Sequence, residues 1–166
     1  MFTSFTNIGV LEAAPHNSLT MDSFQLSCPL PRSLDTRIYI RVTIQAKSIM
    51  IFLTTAAADA SAIPPPLGSF VYALPDKFNS IQPLSTPLYT EGPTEELATR
   101  MAKLFAKKTQ LPVYVANSMS FASAGLGGTV EEEMEAFKKV VVAITGKLQE
   151  RQEITNGMSG MSINSS

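Results

Sequence analysis

The chain has 166 residues, a length that suits one domain and is short for two. Thirteen basic residues nearly balance fourteen acidic ones, and the net charge of −1 argues against a dedicated nucleic-acid-binding protein, which usually needs a net basic surface. Charged residues make up only 16 % of the chain, which leaves room for a partner to cover part of the surface, while the 45 % hydrophobic share excludes wholesale disorder.

Two residue types are almost missing. Cys28 is the single cysteine, which excludes a disulfide within the chain and a cysteine-based zinc site. His16 is the single histidine, so a histidine metal cluster is excluded and a Ser-His-Asp triad would depend on this one residue. No uninterrupted apolar run reaches the roughly 18 residues of a membrane span, and the N-terminal stretch carries no basic residue typical of a targeting peptide. We expect a reduced intracellular setting without membrane contact.

The ends of the chain differ from its middle. Residues 1–21 mix small polar residues with scattered apolar ones and are predicted to form a disordered N-terminal tail. Residues 153–166 are small and polar and are predicted to form a disordered C-terminal tail. A single α+β domain is expected between them, over residues 22–152.

Strands are predicted in the first half of this domain. Residues 24–30 alternate apolar and polar side chains, as a half-buried strand does. Residues 37–45 show the same period of two more clearly, and a turn at Ala46-Lys47 is expected to lead into a return strand over 48–55. This return strand is apolar on both faces, which predicts a central position in the sheet with cover on both sides.

A low-complexity connection follows over residues 56–67 and contains the run Pro64-Pro65-Pro66. Three prolines in a row favour polyproline geometry, which serves as a spacer or as a ligand for an SH3-type domain. Residues 68–74 and 83–89 are predicted to be two further strands, and Pro87 marks the second as an edge strand or as the site of a bulge.

The period then changes to that of a helix that begins near Pro93. A wide arc of low polarity around this helix suggests contact with the sheet on one flank and with something else on the other. The basic side lacks the aromatic residues that stack on nucleic-acid bases, and it suits both the helix dipole and the steering of an acidic protein partner. The candidate partner-binding residues are Arg100, Met101, Lys103, Lys107 and Lys108.

Residues 111–118 are predicted to form the last strand, and a final helix begins where Thr129 and Glu132 form a capping box. The predicted order is therefore five strands, a helix, a strand and a helix. We expect an α+β fold with an antiparallel sheet of about six strands and two main helices packed on it.

No catalytic, cofactor-binding or metal-binding residues are identified. The glycines at 125–128 lack the lysine and serine or threonine of a phosphate loop, so a flexible connector is expected. The glutamates at 131–135 are expected to form a solvated face, and Cys28 has no basic sequence neighbour that would activate it. The sequence predicts a protein that is not an enzyme.

From residue 37 to 118 the chain resembles the proteasome assembly chaperone 4 family. The segments that carry this resemblance are the strand-turn-strand unit 38–52, the strand Pro83-Leu84-Ser85-Thr86-Pro87-Leu88, the helix ending Leu104-Phe105-Ala106-Lys107-Lys108-Thr109, the strand Leu111-Pro112-Val113-Tyr114-Val115-Ala116-Asn117-Ser118 and a terminal helix from about Glu131.

The resemblance implies a heterodimer with proteasome assembly chaperone 3, a partner of similar fold. It implies that this pair binds an alpha-type subunit of the 20S proteasome, by family alpha5, and promotes assembly of the alpha ring without ATP or catalysis, in the cytoplasm and also in the nucleus. A rival hypothesis is an adaptor that recognises a peptide or protein through a sheet edge or the proline-rich loop. The adaptor hypothesis predicts that this chain is a stable monomer.

Overall fold

The computed structural model describes residues 22–57, 66–79 and 81–160. The predicted order of elements is confirmed over these residues. The elements are β1 (Asp22–Pro29), β2 (Thr36–Gln45), β3 (Ser48–Ala57), β4 (Ser69–Leu74), β5 (Leu84–Tyr89), α1 (Gly92–Thr109), β6 (Val113–Ser118) and α2 (Val130–Gly160). The predicted N-terminal tail, residues 161–166 and most of the low-complexity connection lie outside the described residues.

All six strands form one sheet in the order β1-β2-β3-β6-β4-β5. The expectation of a purely antiparallel sheet is wrong, because β6 pairs in parallel with β3, with Ile51 opposite Val115. The other neighbouring strands are antiparallel. Tight turns force antiparallel pairing only between consecutive strands, whereas β6 enters the sheet after α1, between two strands that do not follow each other. The fold is α+β with a mixed sheet.

One face of the sheet carries the core. The period of two in β2 is confirmed, since Ile38, Ile40 and Val42 are buried and lie opposite residues of β1 and β3 that face the same way. Helix α1 packs Met101 and Phe105 against this face, and both side chains are fully buried. Buried residues of α2 belong to the same core. Within the described ranges, both helices therefore lie on one side of the sheet.

The start of α1 follows its sequence signal. Pro93 lies in the first turn, and Gln110 ends the helix in the left-handed conformation at a φ of 55°. A buried polar group fixes the start of α1 to the sheet, since the Glu91 N–H donates to Ser69 Oγ at 2.8 Å. Asn117 of β6 adds a bond from its Nδ2 to the carbonyl oxygen of Thr94 at 3.0 Å.

Helix α2 is longer than expected. It ends at Gly160, so residues 153–160 are helical although the domain was expected to end at 152. No proline interrupts this segment, and adding a residue to an existing helix costs little compared with nucleating one. The guanidinium of Arg151 forms an ion pair with Asp22 and lies 4.9 Å from the ring centre of Phe24, which fixes this part of α2 over β1.

Strand β3 is central, as predicted, because it lies between β2 and β6. Its predicted cover on both sides is not found among the described residues. Ile51 and Leu53 are buried under the helices, whereas Phe52 points to the opposite face and keeps 37 % of its surface exposed. The sheet therefore has one covered face and one open face.

A candidate interaction surface on the open face of the sheet

The face of the sheet that points away from the helices is called the open face below. Its centre is apolar and spans three neighbouring strands. Met50 of β3, Tyr114 of β6 and Tyr72 of β4 form one row across the sheet. The next row contains the central residues Phe52, Ala116 and Phe70.

Three aromatic rings at the centre pack on one another. Tyr114 lies between its neighbours, with its ring centre 6.0 Å from that of Phe70 and 4.6 Å from that of Tyr72. Burial, together with the neighbouring Tyr114 hydroxyl, raises the pKa of Tyr72. Aromatic rings held by each other form a rigid contact surface that loses little conformational entropy on binding.

The edge of the open face on the β1 and β2 side is polar. Gln25 lies opposite Arg41, and Arg41 lies opposite Phe52 in the same row. Further along β2, Arg37 Nη2 donates to Ser27 Oγ at 2.9 Å, which holds a charged side chain flat on the rim. An apolar centre with a polar rim is the usual composition of a specific protein–protein interface.

The predicted partner-binding residues of α1 do not form one patch. Met101 is fully buried against the sheet, so its side chain cannot contact a partner, and this part of the expectation is wrong. It belongs to the same stripe as Phe105, one turn later, which faces the core.

Arg100 joins the two helices. Its guanidinium lies 5.0 Å from the ring centre of Phe137 and is within 3.1 Å of Met134 Sδ, both on α2, and it is 3.9 Å from Glu96 on its own helix. This side chain has partners within the fold, and its contacts account for its position without a bound protein.

The three lysines separate into two regions. Lys103 and Lys107 line a groove between α1 and the start of β5, whereas Lys108 lines a cleft between the C-terminal end of α1 and the middle of α2. The sequence period correctly placed Lys103 and Lys107 on the exposed side of α1, and Lys108 is exposed as well. It could not show that they face different neighbours.

The glycine-rich loop before α2 is held by a buried carboxylate. Glu132 accepts backbone N–H groups from Leu126 at 2.7 Å, Gly128 at 3.0 Å and Thr129 at 3.1 Å. The Glu132 N–H donates in return to Thr129 Oγ1 at 3.4 Å, which confirms the capping box. Glu132 is fully buried, so the expectation that it belongs to a solvated face is wrong for this residue. Burial raises the pKa of its carboxyl, but the three donors and the charge of Arg32 outweigh burial and hold the pKa below its usual value. Donors that a phosphate would need are thus already occupied.

The described part of the chain contains no group of three or more metal-ligating side chains. Burial raises the pKa of the Cys28 thiol. Lys139 and Arg37, both distant from Cys28 in sequence, lie close enough to lower this pKa, but burial has the larger effect. A raised thiol pKa is the opposite of what a nucleophilic cysteine needs. In the same ranges, no helix is both long and apolar enough to span a membrane.

Sequence reasoning missed the open face as a site. The signal was present in β3, where Met50 and Phe52 alternate with buried residues and make both faces apolar. Because the structure shows helices on one side alone among the described residues, the second apolar face becomes a candidate for covering by another protein.

The chain is similar to a family and to a solved structure that are both described in terms of proteasome assembly. The sequence profile of the family described as proteasome assembly chaperone 4 matches residues 37–119, half of the chain. A chain from the crystal structure of a novel chaperone complex for yeast 20S proteasome assembly has a similar fold, with a TM-score of 0.51 at 20 % sequence identity. The similarity covers 76 % of this chain and 98 % of that one. No curated protein matches the sequence.

Proposed function

The chain belongs to the proteasome assembly chaperone 4 family, and from this premise we propose that it acts in proteasome assembly as one half of a heterodimer. The other half is a protein of similar fold, a proteasome assembly chaperone 3-like chain. The pair binds an alpha-type subunit of the 20S proteasome, by family alpha5, and promotes alpha-ring assembly without catalysis. The proposed setting is the cytoplasm and nucleus.

The open face is the observation that carries this proposal. A partner of similar fold would present a sheet face of its own, and two sheets that pack face to face lie about 10 Å apart with interdigitated side chains. A stable complex needs roughly 800 Å² of surface from each partner. The central rows, from Met50 and Phe52 to Tyr72 and Phe70, provide an apolar area in the middle of the sheet where no described residue covers it.

A role without catalysis is supported by the chemistry of the described residues. Neither Cys28 nor the loop held by Glu132 has the features of a reactive or phosphate-binding site. The adaptor alternative through the proline-rich loop stays a prediction, because Pro64 and Pro65 lie outside the described residues.

The proposal is tested by affinity purification of the full-length tagged chain from cells, followed by quantitative mass spectrometry. We expect a small α+β partner in equal amount, together with alpha-type subunits and few mature 20S particles. A well-folded monomer recovered with neither protein would contradict the proposal and favour the adaptor hypothesis. Recovery of mature 20S particles in an amount equal to that of the tagged chain would contradict the assembly role, because it would indicate binding to the finished particle.

A further inference from the structure

The connection between β4 and β5 exposes several large apolar side chains at one end of the sheet edge. Phe78 is fully exposed, and Ile81 keeps 71 % of its surface accessible. Leu74 and Leu84 lie opposite each other where the two strands meet this connection, and they are also exposed, on the same face of the sheet as Tyr72. Contiguous exposed apolar groups of this kind mark interaction sites in soluble proteins.

A groove of about 660 Å³ lies beside this exposed segment and is called the hairpin groove below. One wall comes from the connection and the start of β5, and the other from the outer side of α1. The lining residues used below are Asp76, Ile81, Lys103, Leu104 and Lys107. Its volume is in the range that buries several side chains of a bound segment.

The α1 wall of the hairpin groove carries positive charge that the described residues do not neutralise. Lys103 and Lys107 are exposed, lie one helical turn apart, and have no carboxylate within 4 Å among the described residues. By contrast, Lys139 lies 2.9 Å from Glu135 and Lys147 lies 2.7 Å from Glu150 on α2. Like charges at this spacing repel each other slightly, so a bound carboxylate would relieve a local cost.

The acidic side chain in the groove has another role. Asp76 Oδ1 accepts the Phe78 N–H at 2.8 Å and so holds the turn that presents the exposed phenylalanine. The two lysines outnumber this one carboxylate. The groove therefore combines apolar walls with a net positive charge.

Strand addition at β5 is disfavoured. Pro87 lies within the strand and Pro83 directly precedes it, and neither can donate a backbone hydrogen bond to an added strand. A ligand of this edge is thus recognised through its side chains.

We infer that the hairpin groove binds an apolar segment bearing carboxylates, and that this segment belongs to the alpha-type client subunit of the proposed function, on which the inference rests. Apolar side chains of the segment contact Ile81 and Leu104, and its carboxylates pair with Lys103 and Lys107. The α1 wall lies on the helix side of the sheet, so a chaperone partner seated on the open face leaves the lysines accessible.

The test compares two double variants with the same change in net charge. K103E/K107E reverses the charge of the groove, and K47E/K138E reverses two lysines that are exposed elsewhere and have no ion pair among the described residues. Both are purified as tagged full-length chains, and the similar-fold partner and the alpha-type subunits are quantified separately. We expect K103E/K107E to lower recovery of alpha-type subunits about tenfold or more, because attraction becomes repulsion, while the similar-fold partner changes less than about twofold. K47E/K138E should leave both recoveries within about twofold.

The outcomes of this test distinguish failure of the inference from failure of the proposed function. Unchanged recovery of alpha-type subunits with K103E/K107E, while the wild-type chain recovers them, overturns the inference and leaves the proposed function intact. Equal losses in both double variants overturn it too, because the effect would then follow net charge and not the groove. A wild-type chain that recovers no alpha-type subunit overturns the proposed function, and the inference falls with it.

Discussion

The ring centre of Tyr114 on β6 lies 4.6 Å from that of Tyr72 on β4, and both side chains stay half-buried on the open face. The two residues face each other across the antiparallel half of the sheet, while Met50 faces Tyr114 across the parallel half. The aromatic centre thus depends on the insertion of β6 between β3 and β4. The mixed topology and the candidate interaction surface are two consequences of the same strand order.

Replacement of Phe52 by Asp should separate binding from folding. Its side chain is at the centre of the open face, and a charge there would be buried without a partner in a complex. We expect Phe52→Asp to weaken binding of the similar-fold partner by about 2 kcal/mol or more, as for a central contact, with a loss of fold stability of about 1 kcal/mol. Calorimetric titration and urea unfolding measure the two effects. Val142→Asp, at an exposed apolar position of α2, is the control. Equal affinity of both variants would refute a role for the open face.

Met101 and Lys103 should respond in opposite ways although both belong to α1. Met101→Ala removes a fully buried side chain from the core and should lower the free energy of unfolding by about 2–5 kcal/mol. Lys103→Ala changes an exposed residue and should alter it by less than about 0.5 kcal/mol. Urea denaturation of both variants measures the difference. A stable Met101→Ala protein would show that α1 is not packed on the sheet in this way.

Two glycines should show opposite effects when replaced by alanine. Gly68 has a φ of +63°, and an added Cβ would lie 2.0 Å from the carbonyl oxygen of Asn117, so the start of β4 would have to move away from β6. We expect Gly68→Ala to destabilise the fold by about 2–4 kcal/mol. Gly146 lies within α2 in open space, and Gly146→Ala should stabilise by about 0.5–1 kcal/mol. Thermal unfolding distinguishes the signs, and a neutral Gly68→Ala would contradict the close approach of the two strands.

Glu132 should make the stability of the loop depend on pH. Because the folded state holds the pKa of this carboxyl below its usual value, its contribution is fully present above that value, near 4.3, and is lost as the pH falls through the folded pKa. We expect Glu132→Gln to be less stable than the wild-type chain at pH 7, and the difference to shrink toward pH 3. Chemical unfolding at both pH values measures this. Glu131→Gln, at the exposed neighbouring position, is the control, and a constant difference for Glu132→Gln would contradict the ionised contact.

Local patterns predicted the elements of this fold because they depend on near neighbours. The alternation in Ile38, Ile40 and Val42 fixed a strand and its buried face, and the spacing of Thr129 and Glu132 located the start of α2. The register of β6 could not be predicted, since the contact between Ile51 and Val115 joins segments far apart in the chain. For the same reason the sequence could not show which apolar face of β3 the helices leave open.

The candidate site was predictable only in part. The helical period correctly placed Lys103 and Lys107 on the exposed side of α1. Met101 belongs to the low-polarity side of the same helix, and how far its side chain is buried depends on the way the helix packs on the sheet. The open face needed the three-dimensional position of both helices. Its residues, such as Tyr72 and Tyr114, come from separate strands whose neighbourhood no local pattern contains.

Oxidative footprinting of side chains tests the central claim most directly. The full-length chain is labelled alone and in the complex with its co-purified similar-fold partner, and the labelling of each residue is quantified by mass spectrometry. We expect Met50, Phe52 and Tyr114 to become several times less reactive in the complex, because a partner on the open face would exclude solvent from them. Phe78, on the connection between β4 and β5, should keep its reactivity. Unchanged labelling of Met50 and Phe52 in a complex that has formed would contradict the open face as the site where the chaperone partner binds.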